Sequence, residues 1–281
     1  MSAHTDIAPV LCEDVSFTYP GDGITALDGV SLEVRQGEFV ALAGMNGSGK
    51  STLCRLLNAL ILPTRGKVVS CGLDTALPEN LAGIRSRVGL IMQNPDNQIV
   101  GPTVEDDVAF GLENLGLPRE EMLSRVQDAL EAMGLSSLRR REPHLLSIGE
   151  RKRLAVAGVL AMRPQVLVSD ESTSMLDAPT RSETMALYRR LRDELGVVVF
   201  HATHRPEEML AADRVLLLEG GRLMFSGSPR ELFDDGELCA RNGLGPPSVY
   251  LLARELERLG RALGDAPLEP KEVAERLWAS C

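Results

Sequence analysis

Residues Gly44–Thr52 read GMNGSGKST, directly after the five apolar residues Phe39–Ala43. A short, continuously apolar run of this kind is expected to be a strand buried on both faces. Beyond the glycines the pattern turns helical, from about Gly49 to Leu60, and Pro63 stops it. A buried strand that passes through a glycine-rich turn into a helix belongs inside a sheet, with the helix covering one face. The glycines let backbone N–H groups converge on one point, and the helix directs its positive end there. Gly44, four residues, then Gly49-Lys50-Ser51 is the spacing of a phosphate-binding loop. Met45, Asn46, Gly47, Ser48 and Thr52 complete it. Lys50 is expected on the β- and γ-phosphates and the Ser51 hydroxyl on Mg²⁺. An ordinary glycine-rich turn is the alternative reading, but this motif follows a strand and precedes a helix, as phosphate binding requires.

The rest of the chain alternates in the same way. Val10–Thr18 and Ile24–Val34 read as antiparallel strands about a Pro20-Gly21 turn, and Lys67–Cys71 and Val88–Met92 as further strands. From about Gly101 to Pro143 the pattern is helical, with Met122, Val126, Ala129 and Met133 at helical spacing. Strand Val166–Asp170, a helix over Ala178–Leu195 and strand Val197–Phe200 resume the α/β pattern. Val215–Leu218 and Arg222–Phe225 flank Gly220-Gly221, a hairpin signal. After about Gly236 the composition changes. Gly243–Ser248 is a Pro/Gly linker, Val249, Leu252, Leu256 and Leu259 mark an amphipathic helix, and Lys271–Ala279 suggests another.

A second stretch carries chemistry. Leu146–Glu171 reads LSIGERKRLAVAGVLAMRPQVLVSDE. A Ser-x-Gly turn opens a helix, Pro164 closes it, and a strand runs into Asp170-Glu171. An acidic pair at the end of a buried strand is where nucleotide hydrolases hold a magnesium ligand, here Asp170, and a group that polarises the attacking water, here Glu171.

Composition narrows the partners. The net charge is −10, from 30 basic and 40 acidic residues, which argues against nucleic acid. No apolar run is long enough to span a bilayer, and MSAHTDIAPV at the start has neither the basic nor the apolar region of a signal peptide. Cys12, Cys54, Cys71, Cys239 and Cys281 are scattered without metal-ligand spacing, as in a reduced cytosolic protein. His201 and His204 find no third ligand, so a metal pair there is rejected.

On these motifs the chain resembles the ATP-binding cassette (ABC) ATPases over about residues 8–235. Tyr19 stands where the family stacks an aromatic ring on adenine, and Gly44–Ser51 matches its Walker A loop. Gln93 matches the Q-loop glutamine, a magnesium and water contact. Ser147-Ile148-Gly149-Glu150 lies at the family signature, Asp170 and Glu171 at Walker B and the catalytic glutamate. Ser174-Met175-Leu176-Asp177 matches the D-loop, and His204 the switch histidine at the γ-phosphate. QNPDNQIV at Gln93–Val100, TVEDDVAFGLENLGLP at Thr103–Pro118 and SMLD at Ser174–Asp177 are similar to the ATPase subunits of energy-coupling factor (ECF) transporters, which import vitamins or transition-metal ions into prokaryotic cells. Dedicated cobalt and nickel importers share much of this pattern.

The resemblance implies an α/β fold: a P-loop ABC ATPase core with an antiparallel β subdomain, a helical subdomain inserted at about residues 101–162, and a C-terminal helical appendage at 236–281. It implies ATP and Mg²⁺ as ligands and a head-to-tail pair with a second ABC ATPase subunit, the same chain or a different one. Lys50, Ser51, Gln93, Glu171 and His204 then serve one nucleotide, and Ser147 to Glu150 the other. It also implies a transmembrane coupling protein, a separate substrate-capture membrane protein, and a place on the cytoplasmic face of a prokaryotic cell membrane. Asp96 and Glu105-Asp106-Asp107 are candidates to meet basic residues of the coupling protein. A low-turnover regulatory nucleotide-binding subunit is a competing reading. A soluble ABC protein acting on DNA or ribosomes is another, disfavoured by the acidic charge and by the lack of a coiled-coil insertion or second cassette.

Four residues depart from the family's usual spelling. Ile148 and Glu150 replace glycine and glutamine in Leu-Ser-Gly-Gly-Gln. A β-branched residue tolerates only negative φ comfortably, and a carboxylate beside phosphate is unfavourable unless screened. Ser169 replaces an apolar residue before Asp170, and Ser172 the usual proline after Glu171. The expectation is an unequal pair, with the site served by this chain's signature the slower one.

Overall fold

The structure, a computed structural model, describes residues 8–21, 23–261, 273–275 and 278. The chain opens with β1 (Val10–Thr18), β2 (Thr25–Val34) and β3 (Phe39–Ala43), then α1 (Lys50–Leu57). β4 (Arg65–Ser70), β5 (Leu73–Asp74), α2 (Leu81–Arg87) and β6 (Val88–Ile91) follow. Helices α3 (Val104–Asn114), α4 (Arg119–Ala132) and α5 (Ile148–Ala161) come next, packed on one another. The α/β pattern resumes with β7 (Val166–Asp170), α6 (Ala178–Leu195), β8 (Val198–Ala202), the short α7 (Pro206–Met209), and the hairpin β9 (Arg214–Glu219) and β10 (Arg222–Gly227). The segments α8 (Pro229–Asp234), α9 (Gly236–Arg241) and α10 (Ser248–Arg258) lie after it.

Among the described residues the strands form two sheets. The central one has the order β10-β9-β3-β8-β7-β6 and is parallel apart from the β9–β10 hairpin. The other, β2-β1-β4-β5, is antiparallel. β3 sits in the middle of the central sheet and its side chains alternate between two cores. Phe39, Ala41 and Ala43 join the core shared with α3 to α6, whereas Val40 and Leu42 join the core shared with α1 and the antiparallel sheet. Side chains of a strand point alternately to opposite faces, so the continuous apolar run at 39–43 means that both faces are covered. Each large side chain so buried contributes roughly 1.5–3 kcal/mol. This placement holds the loop after β3 at the carboxyl edge of the sheet, beside the ends of β7 and β8.

Three expectations need adjustment. α1 stops at Leu57 rather than near Leu60, because Asn58 caps it and Ala59 turns left-handed (φ 53°) while its side chain stays in the core. The strand expected at Lys67–Cys71 is β4, Arg65–Ser70, because Cys71 also has positive φ (50°) and leaves the ladder. The buried face of α10 is Tyr250 and Ala253 with Val249 and Leu256 half-buried, whereas Leu252 and Leu259 face outward. The Phe233 ring lies against Tyr250, with centroids 5.6 Å apart, which holds that face inward. The helix suggested over Lys271–Ala279 lies largely outside the described residues, as does Cys281.

Candidate functional site

The glycines after β3 are required by space as well as by conformation. Gly44 has φ 146°, and a Cβ there would lie 2.4 Å from the Leu218 carbonyl oxygen. Gly49 has φ 107°, and its Cβ would lie 2.5 Å from the Ala26 carbonyl oxygen. Gly49 also caps α1 without a side-chain hydrogen bond, and no acidic residue stands in the first turn. The leading N–H groups of α1 are therefore left to an anion. Ser48 points the same way: its hydroxyl is buried and hydrogen-bonds no described protein group. A buried polar atom without a partner costs stability, so the loop is built for a phosphate oxygen. Met45, Asn46 and Gly47 form its exposed rim.

Lys50 is buried, and its ammonium donates to the carbonyls of Gly44 (2.8 Å) and Met45 (3.1 Å). It lies 3.6 Å from Oε1 of Glu171. Ser51 donates its hydroxyl to Asp170 Oδ1 at 2.9 Å. Burial pushes the Asp170 carboxyl above its usual range, opposed by the Ser51 hydrogen bond and reinforced by the charge of Glu171. Two hard oxygens beside phosphate oxygens, one on a carboxylate whose charge burial disfavours, suit a cation of the Mg²⁺ type, which takes few protein ligands and several from substrate and water. Among the described residues no cluster of three His, Cys, Asp or Glu forms a self-sufficient metal cage.

Glu171 is the meeting point. Its Oε2 accepts from Gln93 Nε2 at 3.0 Å and lies 3.6 Å from Nδ1 of the half-exposed His204. Its backbone is left-handed (φ 49°), a costly conformation for a residue with a side chain. Donors to its carbonyl oxygen hold it there: the Ser174 N–H (3.0 Å), the Ser174 hydroxyl (2.7 Å) and the Lys152 ammonium (3.2 Å). Tyr19 stands at the rim, edge-on to Phe17 with centroids 4.9 Å apart, and its hydroxyl is 3.0 Å from Thr52 Oγ1. Lys50, Ser51, Gln93, Asp170, Glu171 and His204 thus come from four sequence regions into one cluster. A carboxylate beside an amide donor, an imidazole and a phosphate-loop lysine can polarise a water for in-line attack on a phosphoryl group.

The signature residues lie on the exposed start of α5. Ser147 accepts from the Glu150 N–H (3.2 Å), and the Glu150 carboxylate accepts from the Ser147 N–H (2.7 Å). This reciprocal capping box satisfies two helix-end donors. The Ser147 backbone and hydroxyl hold the Glu150 carboxyl below the usual range. The capping role gives Glu150 an occupation within the chain that the sequence comparison with glutamine did not show. Ile148 is the first helical residue and has negative φ, so its β-branch strains nothing here; its side chain projects outward. Gly149 has only Leu176 Cδ2, at 4.0 Å, facing the place of its absent Cβ. Asp177 is exposed before α6, with its carboxyl held below the usual range by the Thr180 hydroxyl.

The acidic residues proposed as a docking surface are already engaged inside the chain. Asp96 pairs with Arg151 at 3.0 Å and Glu105 with Arg139 at 2.6 Å. Asp106 accepts from the Thr103 hydroxyl (2.6 Å), and Asp107 from the N–H groups of Val100 (2.7 Å) and Gly101 (2.8 Å). Sequence reading missed Lys152 and Glu208. Both look like solvated helix charges in the sequence, and both are buried. His201 and His204 face different surroundings: His201 is fully buried on β8 and bonded to Ser169 and Glu208, while His204 faces Glu171.

Residues 27–174 match the family described as ABC transporter. The energy-coupling factor transporter ATP-binding protein EcfA1 of Symbiobacterium thermophilum is 50% identical over 275 residues, spanning 95% of this chain and 96% of its own length. EcfA1 of Bacillus subtilis is 43% identical over 267 residues, spanning 95% of each. Among solved structures, cbiO1 of Clostridium perfringens, part of the ABC transporter complex cbiONQ, superposes with a TM-score of 0.73 at 34% identity over 90% of this chain and 98% of its own. The dimeric ATP-binding cassette MJ0796 in a post-hydrolysis state with ADP and Pi superposes with a TM-score of 0.74 at 30% identity, over 79% of this chain and 99% of its own.

Proposed function

This chain belongs to the ABC transporter ATPases, as an ATP-hydrolysing subunit of the energy-coupling factor type, and we propose that it powers uptake of a vitamin or a transition-metal ion through a membrane coupling protein. The observation that carries the mechanism is the convergence on Glu171 of Gln93, His204 and Lys50, within 3.0 to 3.6 Å. In the proposed cycle the loop Gly44–Thr52 cradles the phosphates, with Lys50 moving from the Gly44 and Met45 carbonyls onto the β- and γ-phosphates. Tyr19 flanks the adenine. Ser51, Asp170 and Gln93 would hold Mg²⁺, which would supply neutralisation of phosphate charge and polarisation of the phosphoryl group. Glu171 orients and deprotonates the attacking water, and His204 contacts the γ-phosphate.

Ser147, Ile148, Gly149 and Glu150 would act across a dimer interface on the nucleotide of a second ABC ATPase subunit, with Asp177 beside them. The dimeric cassette MJ0796 supports that arrangement. Ser147 and Ile148 stand exposed at the start of α5, where such an interface would reach them. The subunit would work at the cytoplasmic face of a prokaryotic membrane, with a transmembrane coupling protein and a separate substrate-capture protein. The relatives' ECF identity supports this. So does the cleft lined by Gln98, Val100, Phe110, Gly111 and Met162, which has room, about 440 Å³, for an element of a coupling protein.

The test is steady-state ATPase activity of the complex purified with its membrane partners. Glu171→Gln is expected to lower turnover by about 10²–10⁴-fold with ATP binding retained. A complex whose turnover survives that substitution would overturn the mechanism.

A further inference from the structure

Ser169 and Ser172, two of the departures from the family spelling, find each other in the structure. Their hydroxyls are 2.7 Å apart and buried. Ser172 Oγ is also 2.9 Å from the Tyr188 hydroxyl, and Ser169 Oγ is 2.8 Å from His201 Nδ1. Ser169 and His201 are direct neighbours across β7 and β8, so their side chains share one face of the sheet. His201 Nε2 reaches Glu208 Oε2 at 2.9 Å, and the same oxygen accepts from the Thr203 hydroxyl. All six residues are buried.

Each hydroxyl can donate to one neighbour and accept from another, and the two His201 ring nitrogens face Ser169 and Glu208, so every link can be made. The chain passes through Ser172, the residue after Glu171, and reaches through Glu208 to Thr203, the residue before His204. Proline, usual at position 172, fixes its own φ covalently. Serine does not, and Glu171 sits in a left-handed conformation that needs restraint from its surroundings.

We propose that Ser169, Ser172 and His201 are positioning residues that fix Glu171 against His204 through this buried hydrogen-bond chain, in place of the missing proline. The proposal rests on the reading of Glu171 and His204 as the groups that act in hydrolysis. All three side chains are buried behind the site and act on it only through the backbone and their neighbours. Their effect is on the 3.6 Å between the Glu171 carboxylate and the His204 ring. A misplacement of a fraction of an ångström there is felt in the chemical step and not in ATP binding.

The test uses the full complex, with Ser169→Ala, Ser172→Ala, the double variant, His201→Gln and, in parallel, Glu171→Gln. Ser→Ala changes little volume, and His201→Gln keeps a donor for Glu208. Steady-state turnover, the KM for ATP and the ATP-induced rise in melting temperature are measured. Each single serine variant is expected to lower kcat by roughly three- to tenfold with KM and the thermal shift unchanged, and the double variant by no more than the stronger single, as for residues that act as a unit. Wild-type kcat in the serine variants, with Glu171→Gln inactive, overturns the positioning role. So does a parallel loss of turnover and ATP affinity, which marks a purely structural network. Turnover that survives Glu171→Gln overturns the underlying reading of the site instead.

Discussion

Lys152 reaches inward from α5 and places its ammonium 2.6 Å from the hydroxyl of Ser174. α5 begins with the signature turn, and Ser174 begins the loop that follows Glu171. One buried side chain therefore ties the element that would serve the partner's nucleotide to the turn that shapes this chain's own site. Burial pulls the Lys152 ammonium below its usual range, opposed by the charges of Glu171, Asp170 and Glu208. Lys152→Met keeps the length and removes the bond. The substitution ends the cost of burying the ammonium but takes a donor from the Ser174 hydroxyl and the Glu171 carbonyl, so the melting temperature should fall modestly. Turnover should fall by about tenfold through a loosened Glu171 turn, measured as kcat at saturating ATP. A wild-type kcat would show that the two Ser174 contacts suffice to hold that turn.

The two signature departures should behave differently when reversed. Glu150 is turned back onto the Ser147 N–H, and glutamine can occupy the same place in a capping box. Glu150→Gln should leave ATPase rate and melting temperature at wild-type values. Ile148 projects from the helix end toward whatever closes on it, so Ile148→Gly should raise ATP affinity or turnover of the assembled complex. Titrating ATP against the ATPase rate of both variants decides the matter. Unchanged values in both would end the idea of an unequal pair.

Much of the fold and part of the site could be read from the residues, and the physical reasons for the rest are specific. β3, β7 and α6 match their expected limits to the residue, because β3 is apolar throughout, β7 runs from an apolar start into the acidic pair, and α6 lies between Pro179 in its first turn and a left-handed Gly196 at its end. Phosphate-loop glycines announce themselves because no other residue fits their backbone. Lys152 stayed hidden because a lysine within a helical pattern reads as a solvated charge; only the fold shows that it points at the Glu171 carbonyl. Glu208 stayed hidden for the same reason, since Glu207-Glu208 after Pro206 reads as an ordinary acidic first turn. The partner of Glu208, His201, sits on β8, across the short loop that precedes α7. Contacts that cross between elements leave no local pattern, and the buried polar chain behind Glu171 consists almost wholly of them.

The loop after Gln93 rests on Asp107, and this separates two neighbouring acids. Gly101 lies so close to α3 that a Cβ on it would come within 2.3 Å of the Asp107 backbone nitrogen, and the Asp107 carboxylate takes the N–H groups of both Val100 and Gly101. Burial pushes the Asp107 carboxyl up while those two N–H groups pull it down. Asp106 only closes the Thr103 cap from an exposed position. Asp106→Asn should leave assembly with the membrane partners intact. Asp107→Ala strands two backbone donors, costs about 1–3 kcal/mol for each that stays buried, and should weaken co-purification of the complex. An equal loss of co-purification in the two variants would return the acidic cluster to the role of a charged docking patch.

Glu208 should set the acid limit of stability. Burial raises its carboxyl, but the hydrogen bond and charge of His201, with the Thr203 hydroxyl, outweigh that and hold it down at about 2 against an ordinary 4.5. The folded pKa lies below the unfolded one, so as pH falls the unfolded chain takes up the proton first. The contribution is complete above about pH 4.5, shrinks as pH falls from there, and is gone below about pH 2. A displacement of this size amounts to roughly 3 kcal/mol near neutral pH. Glu208→Gln, which keeps an acceptor but cannot ionise, should therefore be less stable than the wild-type chain near pH 7 by an amount of that order, and the gap should narrow steadily toward about pH 3. Urea unfolding at both pH values measures it. A gap that stays constant with pH would mean that the ionised carboxylate is not what holds this network, and that the hydrogen bonds of His201 and Thr203 act alone.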